Sequence, residues 1–177
     1  MIEFPNKVRV TASAVAVAAI LAGCGGGSSK PATTTSSPGS SLNPATKFST
    51  ASVSGVGKVV VDGTGRTVYI LTSSSTKNVP CTDASGCTKL WPDLPLPSGA
   101  SAATAGMGIN ASLLGTMKLS DGETYPTYHG WLMYEYSGDS GPGQAKGQGI
   151  KSFGGTWYVL NASGNPVTSS SGGGRYP

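Results

Sequence analysis

The amino-acid sequence predicts a mainly β protein, a small antiparallel β domain of barrel- or sandwich-like form built from a duplicated hairpin unit. Three observations carry that prediction. Over residues 47–168 no stretch longer than about ten residues keeps the 3.6-residue apolar period of an amphipathic helix. Short runs rich in Val, Tyr, Ile and Trp recur instead, separated by clusters of Gly, Asp, Asn and Ser. Nothing between these runs reads as a crossover helix, so neighbouring strands are expected to pair antiparallel.

The chain opens on a different kind of segment. Lys7 and Arg9 form a short basic region, residues 10–22 are almost wholly small or apolar, and Leu21-Ala22-Gly23-Cys24 closes the run. An apolar stretch of that length falls short of the roughly 20 residues needed to span a bilayer, and it has the length and basic flank of a secretory signal peptide. A retained amino-terminal anchor helix is the alternative. Leu21-Ala22-Gly23-Cys24 resembles the bacterial lipobox. That resemblance implies a signal peptide over residues 1–23, cleavage before Cys24, and a diacylglycerol thioether on the Cys24 sulfur. Two or more acyl chains give stable membrane anchoring where one gives only marginal binding. The rest of the chain would then lie outside the cytoplasm, held to the bacterial cell membrane, or to the outer membrane if the source has two.

Residues 24–46 carry the modified Cys24 and a Gly/Ser/Thr/Pro-rich linker in which Leu42 is the only large apolar residue. Such a composition cannot offset the entropy of ordering, so a disordered tether is expected, with a root-mean-square reach of roughly 25 Å. Residues 169–177 read as a flexible tail.

Within the domain, Lys58 to Val61 and Thr67 to Leu71 flank Asp62-Gly63-Thr64-Gly65, a turn composition, and predict a first hairpin. Residues 100–116 offer at most one short helical turn. Thr124 to Tyr128 and Trp131 to Tyr136 flank His129-Gly130, which fits a two-residue hairpin loop. Trp157 to Leu160 leads into Asn161 to Asn165 and returns through Val167, a third hairpin. Gly65 to Leu71 aligns with Gly130 to Tyr136 at a constant offset of 65. Alternation places Tyr69 and Leu71 on one face, and likewise Leu132, Tyr134 and Tyr136. The natural reading is a duplicated β unit whose tyrosine rows meet in a shared core.

Three cysteines leave one over. With Cys24 assigned to lipid, Cys81 and Cys87 remain, and in an oxidising compartment they are expected to form a disulfide worth about 2 kcal/mol. A redox or metal role is the alternative, although the spacing is wrong for C-x-x-C.

Tyr134-Glu135-Tyr136-Ser137-Gly138-Asp139 fits the pattern Y-x-(F/W/Y)-x-x-D. In the same order lie Val61-Asp62, Gly65-Arg66-Thr67-Val68-Tyr69, Cys81, Cys87, Trp91-Pro92, Tyr128 to Met133, Gly147-Gln148-Gly149 and Gly155 to Tyr158. Together they resemble the bacterial "secreted repeat of unknown function", lipoproteins carrying that motif, over about residues 55–165. The first copy departs from the pattern, with Leu71 at the aromatic position and Ser74 in place of the Asp. Trp91-Pro92 continues with Asp93. The resemblance implies an extracytoplasmic location and a repeated β unit, with Tyr134, Tyr136 and Asp139 as the motif residues. It implies no chemistry.

Composition excludes some partners. Charged residues make up 11% of the chain, and its 12 basic and 8 acidic residues are scattered singly. No basic run exists to follow a phosphate backbone, so no nucleic-acid partner is expected. Gly138 to Pro142 echoes a serine-protease nucleophile segment, but the sole histidine, His129, sits in a tight turn a whole strand away from Ser140. The bland reading is that Asp139, Ser140 and Gly141 end a strand. His129 is a weak metal candidate with Met107, Met117 or Met133, against the reading of an ordinary turn residue and core methionines. Asp121 and Glu123 flank Gly122 in a turn. Trp131 is the aromatic expected to stand free, and with His129 and Asp139 it completes the candidate ligand-binding set. No catalytic residue, metal site or cofactor is assigned. The functional expectation is a lipid-anchored, non-enzymatic binding or structural module of the cell envelope, its partners the membrane through Cys24 and an envelope protein or glycan. The alternative is a metal-handling or electron-transfer accessory lipoprotein, with a hydrolase third.

Overall fold

The computed structural model describes residues 43–169 apart from Thr76. The signal peptide, Cys24, the linker up to Leu42 and the tail from Ser170 lie outside the described residues. The folded body takes in Pro44–Thr46, a 3₁₀ turn capped by the Asn43 side chain, whose Ala45 is fully buried. Composition alone assigns those residues to the linker.

Nine short strands form three small sheets among the described residues, and the sheets do not close into a barrel. β1 (Lys47–Val53) pairs antiparallel with β2 (Gly57–Val61) and, at its start, parallel with β4 (Thr104–Ala105). β3 (Tyr69–Leu71) pairs with β9 (Gly155–Val159), which also pairs with β8 (Lys151–Ser152). β5 (Leu114–Lys118), β6 (Thr124–Tyr128) and β7 (Trp131–Leu132) form an antiparallel meander.

The predicted turns form where expected. Asp62 closes the first by accepting, at Oδ1, from Thr64 N at 2.8 Å, Thr64 Oγ1 at 2.8 Å and Arg66 N at 3.0 Å. Its two arms stay together only briefly. After the Val61–Thr67 bridge β2 follows β1 while β3 leaves for β9, so residues 67–71 are not simply the return arm of a hairpin. At the second turn His129 and Gly130 both take positive φ, 52° and 82°, the two-residue turn whose twist matches the flanking strands. Asn161 closes the third by accepting from Ser163 N and Asn165 N.

Alternation then sorts the side chains into two cores. Val59, Val61, Tyr69, Leu71, Leu132 and Tyr134 join one cluster with Trp91, Trp157 and both cysteines of the Cys81–Cys87 disulfide. The intervening Val60, Val68, Ile70 and Met133 join the other, with Phe48, Leu94, Leu96 and Tyr128. The central strands are thus buried on both faces, which is why their sequences run apolar without a polar alternate.

The duplicated units meet through their equivalent tyrosines. Tyr69 N donates to Tyr134 O at 2.8 Å and Tyr134 N to Tyr69 O at 2.9 Å. This reciprocal bridge joins residues at the same place in the two aligned segments.

Candidate functional site

The motif side chains serve the joint between the repeats. Asp139 is 2% exposed. Its Oδ2 accepts from the Tyr69 hydroxyl of the other copy at 2.7 Å, and its Oδ1 from Lys146 N at 2.9 Å. The Tyr69 oxygen in turn accepts from Gly147 N at 3.2 Å. Arg66 Nη2 donates to the Asp139 carbonyl at 2.7 Å, and Thr67 Oγ1 to Gln144 O at 2.5 Å. Three residues of the first copy, Arg66, Thr67 and Tyr69, therefore hold Asp139 and the loop that follows it. At the alignment offset of 65, Ser74 takes the place of Asp139. It lies beside Tyr134, and its buried Oγ has no partner in hydrogen-bonding geometry.

These tyrosines resist ionisation. Burial, and then the hydrogen bond to the Asp139 carboxylate, push Tyr69 far above the ordinary tyrosine range. Burial pushes Tyr134 up to about 12, with the Ser74 hydroxyl pulling the other way and Asp93 adding to the rise. A group whose folded pKa lies above its unfolded value gives stability that is complete below the unfolded pKa and is lost as pH rises. The domain is accordingly expected to lose stability above about pH 10. Near-ultraviolet difference absorbance should show tyrosinate from Tyr69 and Tyr134 appearing together with unfolding, as one cooperative step. Ionisation of Tyr69 or Tyr134, assigned by Phe substitution, in a domain that stays folded would contradict the assignment.

The structure places the remaining candidates apart. His129 is exposed, and its Nδ1 lies 3.3 Å from the Gly164 carbonyl. That contact shares no partner with Asp139. Met133 is buried in the second cluster, Met117 packs against the first, and Met107 stands 84% exposed. Among the described residues no group of three or more His, Cys, Asp or Glu is placed to hold a metal ion. Ser140 is exposed and bonds through its backbone N–H to Gln144 Oε1 at 2.8 Å. Trp131 is half-buried against the second core.

An open groove of about 560 Å³ lies elsewhere, beside the disulfide loop. Cys81 to Ala84 form one wall, Lys118 to Asp121 of the β5–β6 turn the other, with Lys77, Val79 and Asp93 completing it. Asp83, Asp93 and Asp121 bring three carboxylates to it, Lys77 and Lys118 two ammonium groups. Burial raises the Asp93 carboxyl above the usual range, Asp83 and Asp121 add to the rise, and a hydrogen bond with Tyr125 opposes it. Tyr125 also donates to Asp121 Oδ2 at 2.7 Å. The arrangement can hold a polar, cation-bearing ligand through Asp93 and Asp121 while the lysines orient it. Of the lining, sequence reasoning singled out Cys81 of the disulfide, the Asp121 turn and Asp93 after Trp91-Pro92. These walls come from segments about 40 residues apart, and no local pattern joins them.

The fold and joint define a mainly β protein in which the motif aspartate Asp139 anchors Tyr69 of the earlier hairpin. Residues 115–161 match the family described as a secreted repeat of unknown function, the family that the motif resembles. The matched segment holds Tyr134, Tyr136, Asp139 and strands β6 to β9 in full. The description is consistent with an extracytoplasmic location. No curated protein and no solved structure matches the chain. Among the described residues no helix is long and apolar enough to cross a membrane.

Proposed function

We propose that the protein is a lipid-anchored, extracytoplasmic binding module of the cell envelope, and that its ligand surface is the groove beside the disulfide loop. The observation that supports this reading is the contrast between two sets of polar side chains. The motif set is engaged inside the joint, with Asp139 2% exposed, whereas the groove set opens to solvent with Asp83 and Asp121 exposed. Polar groups that face solvent can meet a partner where buried ones cannot, and an envelope protein or glycan is the partner class.

A photo-crosslinking residue at Ala84, on the lip of the groove, tests the surface in intact cells. A discrete adduct at Ala84 and none from the same probe at the exposed Ser163, in the turn after β9, is the expected result. Equal labelling from both positions, or none at Ala84, would overturn it. The anchor has its own test. Cys24→Ala is expected to leave the chain with an uncleaved leader and without acyl mass, and to abolish retention of the processed form at the membrane. Unchanged processing and acyl mass would remove the lipid from the account.

A further inference from the structure

The turn between β2 and β3 meets the motif segment, residues 134–139, at three charged side chains, Asp62, Arg66 and Glu135. Asp62 is 2% exposed. Its Oδ1 is fully used, accepting from Thr64 N, Thr64 Oγ1 and Arg66 N. Its Oδ2 is buried and receives nothing. The side chain that meets Asp62 is Glu135, 15% exposed, whose backbone N–H is pinned to Pro92 O at 2.8 Å. Glu135 Oε2 also sits 2.7 Å from Arg66 Nε, an ion pair in which the N–H is not aimed at the oxygen. A carboxylate has no hydrogen to offer, so Asp62 Oδ2 is satisfied from Glu135 only when a proton lies between them. Leaving a buried acceptor bare costs about 1–3 kcal/mol, and the Arg66 guanidinium pairs with Glu135, while from Arg66 Asp62 receives only the backbone N–H.

We propose that Asp62 and Glu135 share a single proton and that this proton is a latch between the two repeats. With it bound, Glu135 donates to Asp62 Oδ2 and the turn and motif segment are held together. Arg66, fixed between them, keeps its grip on the Asp139 carbonyl. Without it, two negative charges face each other in a half-closed site, and the loop from Ser140 to Gly147 loses that grip.

The charged groups acting on Glu135 are Asp62 and Arg66, both on the 62–66 turn. The segment packed on its other side presents the Pro92 carbonyl, and Asp93 beyond it interacts with Tyr125. The Asp139 carboxylate is engaged by Tyr69 and Lys146 N. Burial and then Asp62 push Glu135 up to about 7, with Arg66 opposing, from an ordinary 4.5. The folded state therefore keeps a proton that the unfolded chain releases between those two values. Stability falls as pH rises through that window and levels off above it.

The experiment uses the purified full-length chain and Glu135→Gln, whose amide donates to Asp62 Oδ2 at every pH. Between about pH 5 and pH 8 the wild-type folding equilibrium constant is expected to fall about tenfold further than that of the variant, a figure reduced for partial solvent access. Hydrogen-exchange protection at the Lys146 and Gly147 amides, corrected for intrinsic rates, should drop over the same range in wild type only. An infrared carboxylic-acid band titrating near pH 7 in wild type should be missing from Glu135→Gln. Parallel pH profiles for the two proteins would overturn the latch. If Glu135→Gln does not fold, the wild-type infrared titration decides: a protonated carboxyl disappearing near pH 7 supports the shared proton, and its absence sinks it.

Discussion

Replacing Asp139 with alanine is expected to destabilise the domain by about 3–5 kcal/mol, the cost of removing one partner from a buried charged network. The figure follows from what the carboxylate leaves behind. Its two oxygens accept from the Tyr69 hydroxyl and from Lys146 N, at 2.7 and 2.9 Å, and alanine returns neither bond to water. The loop bearing Lys146 and Gly147 then keeps its bonds to Thr67 and the Tyr69 oxygen, and the Arg66 bond to the carbonyl of residue 139 at its start. Asp139→Asn should cost less, because the amide oxygen still accepts one of the two donors. Tyr69→Phe strips the partner from Asp139 Oδ2 and from Gly147 N and should cost about 2–3 kcal/mol. The double variant Tyr69→Phe with Asp139→Asn should fall short of the sum of its parts by about 1 kcal/mol or more, since both remove the same bond. Urea midpoints measure all four. A loss below about 1 kcal/mol in Asp139→Ala would mean that the carboxylate is dispensable to the fold, and Asp139 would return to the list of ligand-binding residues.

The same side chain shows where the sequence was legible. The motif could be read, and so could the equivalence of Tyr69 and Tyr134, because both are patterns along the chain. That the aspartate of one copy bonds the tyrosine of the other, across 70 positions, is set by how the copies pack, and local pattern does not encode packing. The turns at Asp62, His129-Gly130 and Asn161 were readable because a few adjacent residues decide them. β1 and β5 were not. In β1 only Phe48 and Val53 are buried, and β5 has no buried residue, so neither strand carries the two-residue alternation that would reveal it. Their partners β2 and β6 make them strands. The β8–β9 turn was missed for a different reason. It places Phe153 at φ 50°, a conformation that bulky side chains rarely take, so Phe153-Gly154 does not read as a turn the way His129-Gly130 does.

Replacing Trp91 with alanine is expected to cost about 3–5 kcal/mol, through lost burial and a cavity that its neighbours cannot close. The indole is fully buried and stacked on Trp157, with ring centroids 3.8 Å apart and 3° between planes. Tyr136 lies 4.5 Å away on a tilt and Tyr69 5.4 Å away edge-on. The site is closed on the loop side as well, since a methyl group at Gly147 would come within 2.8 Å of the ring. Collapse is restrained because the backbone is pinned on both sides of the tryptophan. Trp91 N donates to Cys87 O, Glu135 N to Pro92 O and Ser137 N to Leu90 O. The ring Nε1 has no hydrogen-bond partner, so Trp91→Phe forfeits volume alone and should be milder than alanine by about 1–2 kcal/mol. The disulfide enters the same account, because Cys87 accepts from Trp91 and both cysteines lie in its cluster. Reducing Cys81–Cys87 is expected to lower wild-type stability by about 2 kcal/mol on the chain-entropy model. If the bond also seats the indole, reduction should cost less in Trp91→Ala than in wild type, a shortfall that a thermodynamic cycle measures directly. Additive losses would show that the disulfide acts on the unfolded chain alone and that Trp91 holds its place without it.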